Sequence, residues 1–325
     1  MRILVTGGAG FIGANLVRAC IARDHDVVVL DDLSTGHESN LDGTSATLVR
    51  GSITDTATVQ SVMRDVDSVV HLAARGSVPR SIADPMATHE VNATGTLNVL
   101  DAARLHGGPQ VIMASSSSVY GANPELPKRE TAATRPMSPY AASKLAAEGY
   151  ALGYRSAYDL PTLAFRFFNV FGRFQTAGHA YAAVIPAFID AALRGQPLTV
   201  HGDGTQSRDF THVDTVRDTI CRAIEAKTSS PDPVNLAFGT RTSLLEVIEI
   251  LATRLDDPIV VEHVEGRVGD VPHSQADSTL LTNLFGELAP VDFTQGLIDT
   301  IEWMRSLPAD ASTGQHIDVA TESPR

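Results

Sequence analysis

The chain has 325 residues, a net charge of −13 and 43% hydrophobic residues, which is the composition of an ordinary folded protein. The negative charge disfavours nucleic acid or an anionic membrane as a partner. No run of about 18 apolar residues predicts a transmembrane helix, and the N-terminal sequence lacks the pattern of a signal peptide. Two cysteines cannot form a disulfide framework, so we expect a cytoplasmic protein.

The first half of the chain alternates short apolar runs with helical patterns. The apolar runs predict strands at 3–6, 27–31, 48–51, 68–72, 111–115 and 162–167. The patterns between them predict helices at 11–23, 56–64, 89–106 and 139–156. Such alternation implies right-handed crossovers, and it predicts an α/β fold with a doubly wound parallel sheet.

After about residue 171 the pattern changes. Helices are predicted at 181–193, 213–225 and 244–254, with a strand at 198–201 and two late helical segments. We interpret 1–171 as the first domain and 172–308 as a smaller C-terminal α/β lobe, some of whose elements return to the first domain. The stretch 309–325 is rich in Ser, Thr, Asp and Pro, which predicts a disordered tail.

A glycine-rich turn follows the first predicted strand and opens a helix. Gly7, Gly10 and Gly13 have the spacing G-x-x-G-x-x-G, a relative of the dinucleotide-binding fingerprint. Glycine suits this place because the backbone must approach a pyrophosphate closely, and the helix N-terminus offers N–H donors. A turn without a ligand is the alternative, but the position between strand and helix favours a Rossmann-type dinucleotide site.

Asp31 ends the second predicted strand, about twenty residues further on. A carboxylate there can accept hydrogen bonds from the adenosine ribose and would repel a 2′-phosphate, so NAD is predicted over NADP. The alternative is an aspartate that forms a turn before residues 33–36, and both roles are compatible.

Tyr140 and Lys144 are four residues apart on a predicted helix, so they share one face. A free phenol titrates near about 10, and a neighbouring ammonium favours the phenolate. Tyr140 is therefore a candidate base. Because Tyr-x-x-x-Lys often arises by chance, the weight of this pair comes from the glycines and Asp31 before it.

Together these motifs resemble the extended short-chain dehydrogenase/reductase superfamily, and most closely its UDP-glucose and UDP-N-acetylglucosamine 4-epimerases. The resemblance covers about residues 2–303 and depends on order and spacing. Its segments are 6–13, 31–36, 71–74, 115–121, 166–172, 202–213 and 267–270, with Asn92, Tyr140 and Lys144. It implies NAD as cofactor, a UDP-sugar as substrate, no metal, and a homodimer built from helices at 88–106 and 139–156.

The resemblance assigns catalysis to four residues. Tyr140 would act as base and acid at the sugar 4-hydroxyl, and Lys144 would bind the nicotinamide ribose and lower the pKa of Tyr140. Ser116 would hydrogen-bond the reacting oxygen, with Ser118 as a second hydroxyl. The implied cofactor contacts are Gly7, Gly10, Phe11, Ile12, Gly13, Asp31, Ser52, Ile53, Leu72, Ala73, Ala74, Asn92, Tyr140 and Lys144.

Substrate contacts follow from the same resemblance. They are Ser77, Val78, Ser116, Asn169, Tyr181, Val184, Val200, Arg208, Arg267, Asp270 and Ser274. Arg208 and Arg267 would grip the pyrophosphate through charge-assisted hydrogen bonds. The alternatives are a surface ion pair of Arg208 with Asp209 or Asp203, a loop charge at Arg267 and a turn role for Asn169.

One position departs from the family pattern. Many relatives have Gly-Asp-Ile after the third strand, with the aspartate at the adenine amino group. This chain has Gly51-Ser52-Ile53, so Ser52 or the backbone would make that contact.

Ser117 and Ser118 indicate which reaction the resemblance implies. Related 4,6-dehydratases carry an Asp-Glu pair after the catalytic hydroxyl, and UDP-glucuronate decarboxylases also place a Glu there. A serine cannot serve as a carboxylate acid or base, so both reactions are disfavoured. We expect oxidation at C4 to a 4-keto sugar, followed by return of the hydride to the other face of the ring.

The predicted sugar depends on Ser274. In related 4-epimerases a Tyr at this place accompanies glucose/galactose enzymes, whereas Cys or Ser accompanies enzymes that accept N-acetyl sugars. We therefore expect UDP-GlcNAc and UDP-GalNAc, with UDP-Glc and UDP-Gal as further candidates. The alternatives are a solvated Ser274 in a UDP-glucose enzyme, a UDP-glucuronate 4-epimerase, a reductase, and a non-catalytic NAD-binding sensor.

Overall fold

The computed structural model describes residues 1–177, 182–255, 257–266 and 272–307. Its strands are β1 (Arg2–Thr6), β2 (Asp26–Asp31), β3 (Thr47–Arg50), β4 (Ser68–His71), β5 (Gln110–Ser116), β6 (Thr162–Phe167), β7 (Asn169–Phe171), β8 (Leu198–His201), β9 (Ser207–Arg208), β10 (Phe210–His212), β11 (Val234–Leu236), β12 (Thr242–Ser243) and β13 (Val261–Val264). The tail predicted at 309–325 lies outside the described residues.

The helices of the same residues are α1 (Phe11–Ile21), α2 (Thr56–Val62), α3 (Val78–Ala83), α4 (Pro85–His89), α5 (Gly95–Leu105), α6 (Pro139–Tyr158), α7 (Val184–Leu193), α8 (Val213–Glu225), α9 (Leu244–Arg254), α10 (Thr279–Phe285) and α11 (Phe293–Ser306). A turn of π-helix, Glu90–Thr94, separates α4 from α5. Short 3₁₀ turns occupy Glu38–Leu41 and Ser117–Tyr120.

A seven-stranded sheet has the order β3-β2-β1-β4-β5-β6-β11, and every pair in it is parallel. The strands are near-continuous apolar runs because helices cover both faces. Chain order reverses between β1 and β4, and ligands bind outside the carboxyl ends of strands at such a switch point. The predicted Rossmann-type sheet is confirmed.

Alternate side chains of the central strands enter two separate cores. Ile3 and Val5 of β1 pack with α1 and α8 on one face, and Leu4 packs with α2, α5 and α6 on the other. A third core lies in the C-terminal part, where α7, β8, α9 and α11 bury residues such as Ile189 and Leu251. This third core makes the smaller α/β lobe.

Several elements differ from those that the sequence predicts. The strand β11 was not predicted; it pairs with β6 and extends the main sheet from the C-terminal half. The predicted helix at 89–106 is instead α4, the π-helical turn and α5. The predicted helix at 181–193 is seen as α7, which begins at Val184, and residue 181 is not described.

Within the described residues, no helix is both long and apolar enough to cross a membrane. The same residues contain no cluster of three or more His, Cys, Asp or Glu side chains with the geometry of a metal site.

Candidate active site

The glycine turn between β1 and α1 is shaped by close backbone packing. Gly7 has φ +73°, and a Cβ there would lie 2.6 Å from the Ala73 backbone nitrogen. A Cβ on Gly13 would lie 2.1 Å from the Gly7 carbonyl oxygen. Only glycine lets the turn fold against itself and against the chain after β4.

The first turn of α1 is left open to a ligand. Gly10 is the N-cap of α1, and no side chain caps the helix. The N–H groups at this end therefore lack side-chain acceptors, and the helix dipole adds positive charge there. An uncapped helix start at the switch point fits the pyrophosphate of a dinucleotide.

Asp31 closes the same turn from the end of β2. Its Oδ2 accepts a 2.9 Å hydrogen bond from Ala9 N, and its Oδ1 accepts one of 2.9 Å from Leu33 N. Burial raises the pKa of Asp31, and the two N–H donors oppose that rise. Asp31 therefore has the turn-forming role that the sequence offered as an alternative, because it accepts from Leu33 N. Each oxygen keeps a second lone pair, so the predicted ribose contact fits too.

A directed chain of hydrogen bonds runs through His71 at the end of β4. Thr96 Oγ1 donates to the Asn92 carbonyl at 2.6 Å, so the His71 Nε2 proton donates to Thr96 Oγ1 at 2.9 Å. His71 Nδ1 then accepts from Thr6 Oγ1 at 2.7 Å. Burial, with the charge of Lys144 adding, lowers the pKa of His71 to about 3. A neutral imidazole therefore links β1, through Thr6, to α5, through Thr96.

Asn92 is committed mainly to protein partners. Its Oδ1 accepts from Arg75 N at 2.7 Å, and its Nδ2 donates to Arg75 O at 3.2 Å and to Ser143 Oγ at 2.9 Å. The residue is buried. These bonds support a role in fastening the loop after β4 to α6, whereas the sequence had predicted a direct cofactor contact.

Other predicted cofactor residues follow strands β1, β3 and β4 of the main sheet. Ser52 Oγ shares a 2.9 Å hydrogen bond with Thr54 Oγ1, and Ile53 is buried. Leu72 N donates to the Thr6 carbonyl at 3.0 Å, and Ala73 N donates to Thr6 Oγ1 at 3.3 Å. Half-buried positions are also taken by Phe11, Ile12 and Ala74.

Ser116, Ser118 and Tyr140 meet where β5 ends and α6 begins. Ser138 caps α6 by accepting from Ala141 N at 3.1 Å, which places Tyr140 in the first helical turn. Ser118 Oγ donates to Ser116 Oγ at 2.8 Å. Burial raises the pKa of Tyr140, and a hydrogen bond with Ser116 lowers it in part. The predicted catalytic hydroxyls are therefore neighbours.

Lys144 lies one turn along α6 and is buried. Burial lowers the pKa of Lys144 to about 8, and the negative charge of Glu148 opposes this. The sequence had predicted that Lys144 lowers the pKa of Tyr140. In the protein alone the pKa of Tyr140 is instead raised, because burial outweighs the Ser116 hydrogen bond.

Three predicted substrate residues, Asn169, Arg208 and Ser274, lie on or beside the short strands β7 and β9. Asn169 Nδ2 donates to the Asp209 carbonyl at 3.4 Å. Arg208 Nη1 donates to the carbonyls of Ser207 and Pro272 at 3.0 and 3.2 Å. Ser274 N donates to the Ser207 carbonyl at 3.0 Å, which sets Ser274 beside the strand of Arg208.

Asp209 excludes one alternative interpretation of Arg208. Its buried carboxylate accepts from Gly239 N at 3.0 Å, Ala276 N at 2.9 Å and Thr240 Oγ1 at 3.0 Å. Asp203 caps its own turn instead, accepting from Thr205 N at 2.9 Å. Neither aspartate forms the surface ion pair with Arg208 that the sequence allowed.

Val200 corrects another expectation. Its side chain is fully buried in the core of the second lobe, so it is not accessible to a nucleotide. Because side chains alternate along a strand, Thr199 and His201 occupy the accessible side of β8. The prediction of Val200 as a substrate contact is wrong for its side chain.

The remaining predicted substrate residues fall into two groups. Ser77 is the N-cap of α3 with φ +93°, and Val78 follows it at 40% exposure. Val184 is the half-buried first residue of α7. The other three lie outside the described residues: Tyr181, Arg267 and Asp270.

The sequence reasoning missed Glu148 and Arg166. Arg166 Nη2 donates to Glu148 Oε1 at 2.7 Å, and Ser115 Oγ donates to Glu148 Oε2 at 2.6 Å. A signal was present, because Glu148 follows Lys144 by four residues and so shares its helix face. Its partner on β6 was not deducible from spacing.

Comparison with known proteins identifies the family. A model of the NAD dependent epimerase/dehydratase family matches residues 3–237, more than half of the chain. The chain belongs to this family. The UDP-glucose 4-epimerase of Mycolicibacterium smegmatis is 37% identical over 313 residues, covering 94% of this chain and 99% of that protein. Relatives named dTDP-glucose 4,6-dehydratase also match.

Solved structures agree with this family. A UDP-N-acetylglucosamine 4-epimerase from Methanobrevibacter ruminantium M1, in complex with UDP-N-acetylmuramic acid, has a TM-score of 0.89 and 36% identity, covering 94% of this chain and 98% of that one. The Thermus thermophilus UDP-glucose 4-epimerase complex with NAD has a TM-score of 0.85 and 33% identity, covering 94% and 99%. The predicted class of NAD-dependent UDP-sugar 4-epimerases and the cofactor NAD are confirmed.

Proposed function

We propose that this enzyme interconverts UDP-N-acetylglucosamine and UDP-N-acetylgalactosamine, with UDP-glucose and UDP-galactose as further substrates. The observation that carries this proposal is the group of Ser116, Ser118 and Tyr140 at the switch-point edge of the sheet. No carboxylate occupies positions 117 and 118, where related dehydratases need one. The alcohol oxidised at C4 is therefore restored rather than carried on to elimination of water.

The chain's own residues would manage the proton and the orientation of the sugar. Tyr140 removes the proton from the 4-hydroxyl and later returns it, and Ser116 hydrogen-bonds the same oxygen. Lys144 holds the nicotinamide ribose and supplies positive charge beside the phenol. In the site formed with Lys144, NAD would supply the hydride chemistry at C4, and return of the hydride to the opposite face of the sugar would leave no net oxidation.

Binding of the nucleotide is assigned to the second lobe. Asn169 lies on β7, which pairs with β10, and Arg208 lies on β9, two residues before β10 begins. Arg208 suits a pyrophosphate because its donors form a planar fork. Arg267 and Asp270 remain predicted contacts to pyrophosphate and uridine ribose. Ser274, beside β9, is assigned to the pocket of the N-acetyl group.

The test is direct conversion by purified protein. NAD and UDP-GlcNAc are incubated with the enzyme, and proton NMR follows the appearance of UDP-GalNAc. UDP-glucose and UDP-glucuronate are run in parallel, and Tyr140→Phe serves as the matched variant that keeps the ring but removes the base. We expect conversion by the natural chain and a loss of about 10²-fold or more in the variant.

Other outcomes would replace the proposal. Conversion of UDP-glucuronate alone would favour the UDP-glucuronate 4-epimerase. A stoichiometric absorbance change at 340 nm would mark a reductase, and bound NAD with no conversion of any UDP-hexose would mark the sensor.

A homodimer is proposed through the outer face of α6. Ala142, Gly149, Tyr150, Gly153 and Ala157 are exposed along this face. A Cβ on Gly149 or Gly153 would meet no atom within 4 Å, although glycine inside a helix costs about 0.5–1 kcal/mol relative to alanine. Close approach of another helix would explain both glycines.

Neighbouring helices extend this face with apolar side chains. α3 and α4 pack against α6 and expose Ile82 at 65% and Met86 at 75%. A second copy of the chain would bury both residues. The cytoplasmic location stays a prediction from the sequence.

A further inference from the structure

Glu148 and Arg166 form a two-pronged ion pair that is shielded from solvent. Glu148 Oε1 accepts from Arg166 Nη2 at 2.7 Å, and Glu148 Oε2 accepts from Arg166 Nε at 3.0 Å. The two side chains are only 3% and 4% exposed. Burying two charges carries a large desolvation cost, so such a pair is a weak source of stability. Its location suggests a different use.

The pair joins three elements that carry the site. Glu148 belongs to α6, the helix of Tyr140, and Arg166 belongs to β6. Ser115 Oγ adds a 2.6 Å hydrogen bond to Glu148 Oε2 from β5, directly before Ser116. One carboxylate therefore connects the helix of the candidate base to the strand of its hydrogen-bond partner.

Arg166 is itself held on its other side. Its Nη1 donates to the Glu130 carbonyl at 3.1 Å, and its guanidinium lies 4.7 Å from the centre of the Tyr120 ring. The Tyr120 hydroxyl donates to Asn235 Oδ1 at 2.6 Å. Because these contacts fix the guanidinium, Glu148 has an anchored partner, and the pair ties α6 to β6.

Glu148 also faces the candidate cofactor lysine. Tyr140, Lys144 and Glu148 are spaced by four residues, so they lie on one helix face. From β4, the neutral His71 imidazole faces Lys144, and Glu148 is the carboxylate whose charge favours its ammonium. Without the charge of Glu148, burial would lower the pKa of Lys144 unopposed.

We propose that Glu148, held by Arg166 and Ser115, is a positioning residue for the epimerase reaction. It sets α6 against β5, so that the Tyr140 hydroxyl meets Ser116, and it supplies the counter-charge of the buried Lys144 ammonium. This inference rests on the catalytic roles proposed above for Tyr140 and Lys144.

The test uses three variants of the full chain with NAD bound. Glu148→Gln leaves the Arg166 guanidinium buried and unpaired, so the double variant Glu148→Gln/Arg166→Met removes both charges and is the one expected to fold well. We expect kcat to fall by about tenfold or more in the double variant, with KM for the UDP-sugar within about threefold. Glu148→Asp keeps the charge but shortens the side chain.

The pH dependence of kcat separates positioning from mere stability. Glu148→Gln removes the negative charge, which favours the neutral Lys144 amine, so the fall in kcat at alkaline pH moves to lower pH in this variant. The shift is smaller in the double variant, because that variant also loses the Arg166 cation. In Glu148→Asp the alkaline fall in kcat, called the alkaline limb below, stays near the pH at which it occurs in the natural chain, while kcat is still reduced. Asp218→Asn, which breaks an exposed pair with Arg23, is the control and leaves both measurements unchanged.

Two results would overturn the proposal. One is a folded double variant, by circular dichroism, whose kcat and alkaline limb equal those of the natural chain. The other is a kcat that falls only in proportion to the folded fraction, while the fall in kcat at alkaline pH stays at the same pH as in the natural chain. Tyr140→Phe is measured beside them: if it stays active, the proposed catalytic roles fail, whereas an inactive Tyr140→Phe with a normal double variant rejects only the role of Glu148.

Discussion

Ser118 Oγ donates a 2.8 Å hydrogen bond to Ser116 Oγ, and the Ser116 side chain acts on Tyr140, whose pKa it lowers against the effect of burial. A hydroxyl that accepts a hydrogen bond becomes a better donor, because bonds in a chain polarise one another. We therefore expect the two serines to act in sequence, with Ser116 nearer to the reacting oxygen.

Removal of these hydroxyls has graded effects. We expect Ser116→Ala to lower kcat by about 10²–10³-fold, as for loss of a donor to a developing charge. Ser118→Ala should lower kcat by about tenfold, the worth of one ordinary hydrogen bond. Steady-state kinetics with UDP-GlcNAc measures both, and Ser117→Ala is the matched control. A larger loss for Ser118→Ala than for Ser116→Ala contradicts the assigned order.

A bulky residue at Ser274 should change the choice of sugar. Ser274 is hydrogen-bonded through its backbone to Ser207, so its place beside β9 does not depend on its side chain. We expect Ser274→Tyr to cut kcat/KM for UDP-GlcNAc by at least about tenfold more than for UDP-glucose, because the ring fills the space of the N-acetyl group. Ser274→Ala should keep both activities. Equal losses on both sugars would reject the assignment.

The buried His71 makes the protein sensitive to acid. Its pKa is about 3 in the folded chain and near 6.5 when unfolded, so the folded state resists protonation. Its stabilising contribution is complete above pH 6.5 and falls as the pH drops towards 3, by at most about 1.4 kcal/mol per pH unit. Urea unfolding at pH 7 and pH 5 measures this loss. His71→Asn should show a smaller difference between the two pH values, and an unchanged difference would assign the acid sensitivity to other groups.

A charged side chain on α6 should separate the proposed dimer. Gly153→Arg places a good helix former where a Cβ meets open space, so the folded monomer should be unharmed. Light scattering after gel filtration should show a dimer for the natural chain and a monomer for the variant. Ser61→Arg, on the exposed side of α2, is the control and should remain dimeric. A natural chain that is already monomeric rejects the interface.

Patterns of short range were readable from the sequence alone. Apolar runs and helical periodicity located the first six strands of the sheet and the helices α1, α2, α6, α8 and α9 within a few residues. The glycines at 7, 10 and 13 predicted the tight turn between β1 and α1, because their spacing reflects a local backbone requirement. The spacing of Tyr140 and Lys144 likewise follows from one turn of helix.

Features of long range were decided only by the tertiary structure. The strand β11 has three residues and gains its identity from pairing with β6, so no local pattern announces it. Val200 looked like a nucleotide contact until the packing of the second lobe placed it inside a core.

The support behind the site depends on tertiary packing in the same way. Glu148 and Arg166 are 18 residues apart and on different elements, and their pairing requires α6 to lie on β5 and β6. The sequence therefore determined which groups could do the chemistry, because those groups are set by local spacing. The fold decided their protonation, since burial is the main cause of the pKa shift of Tyr140, Lys144 and His71.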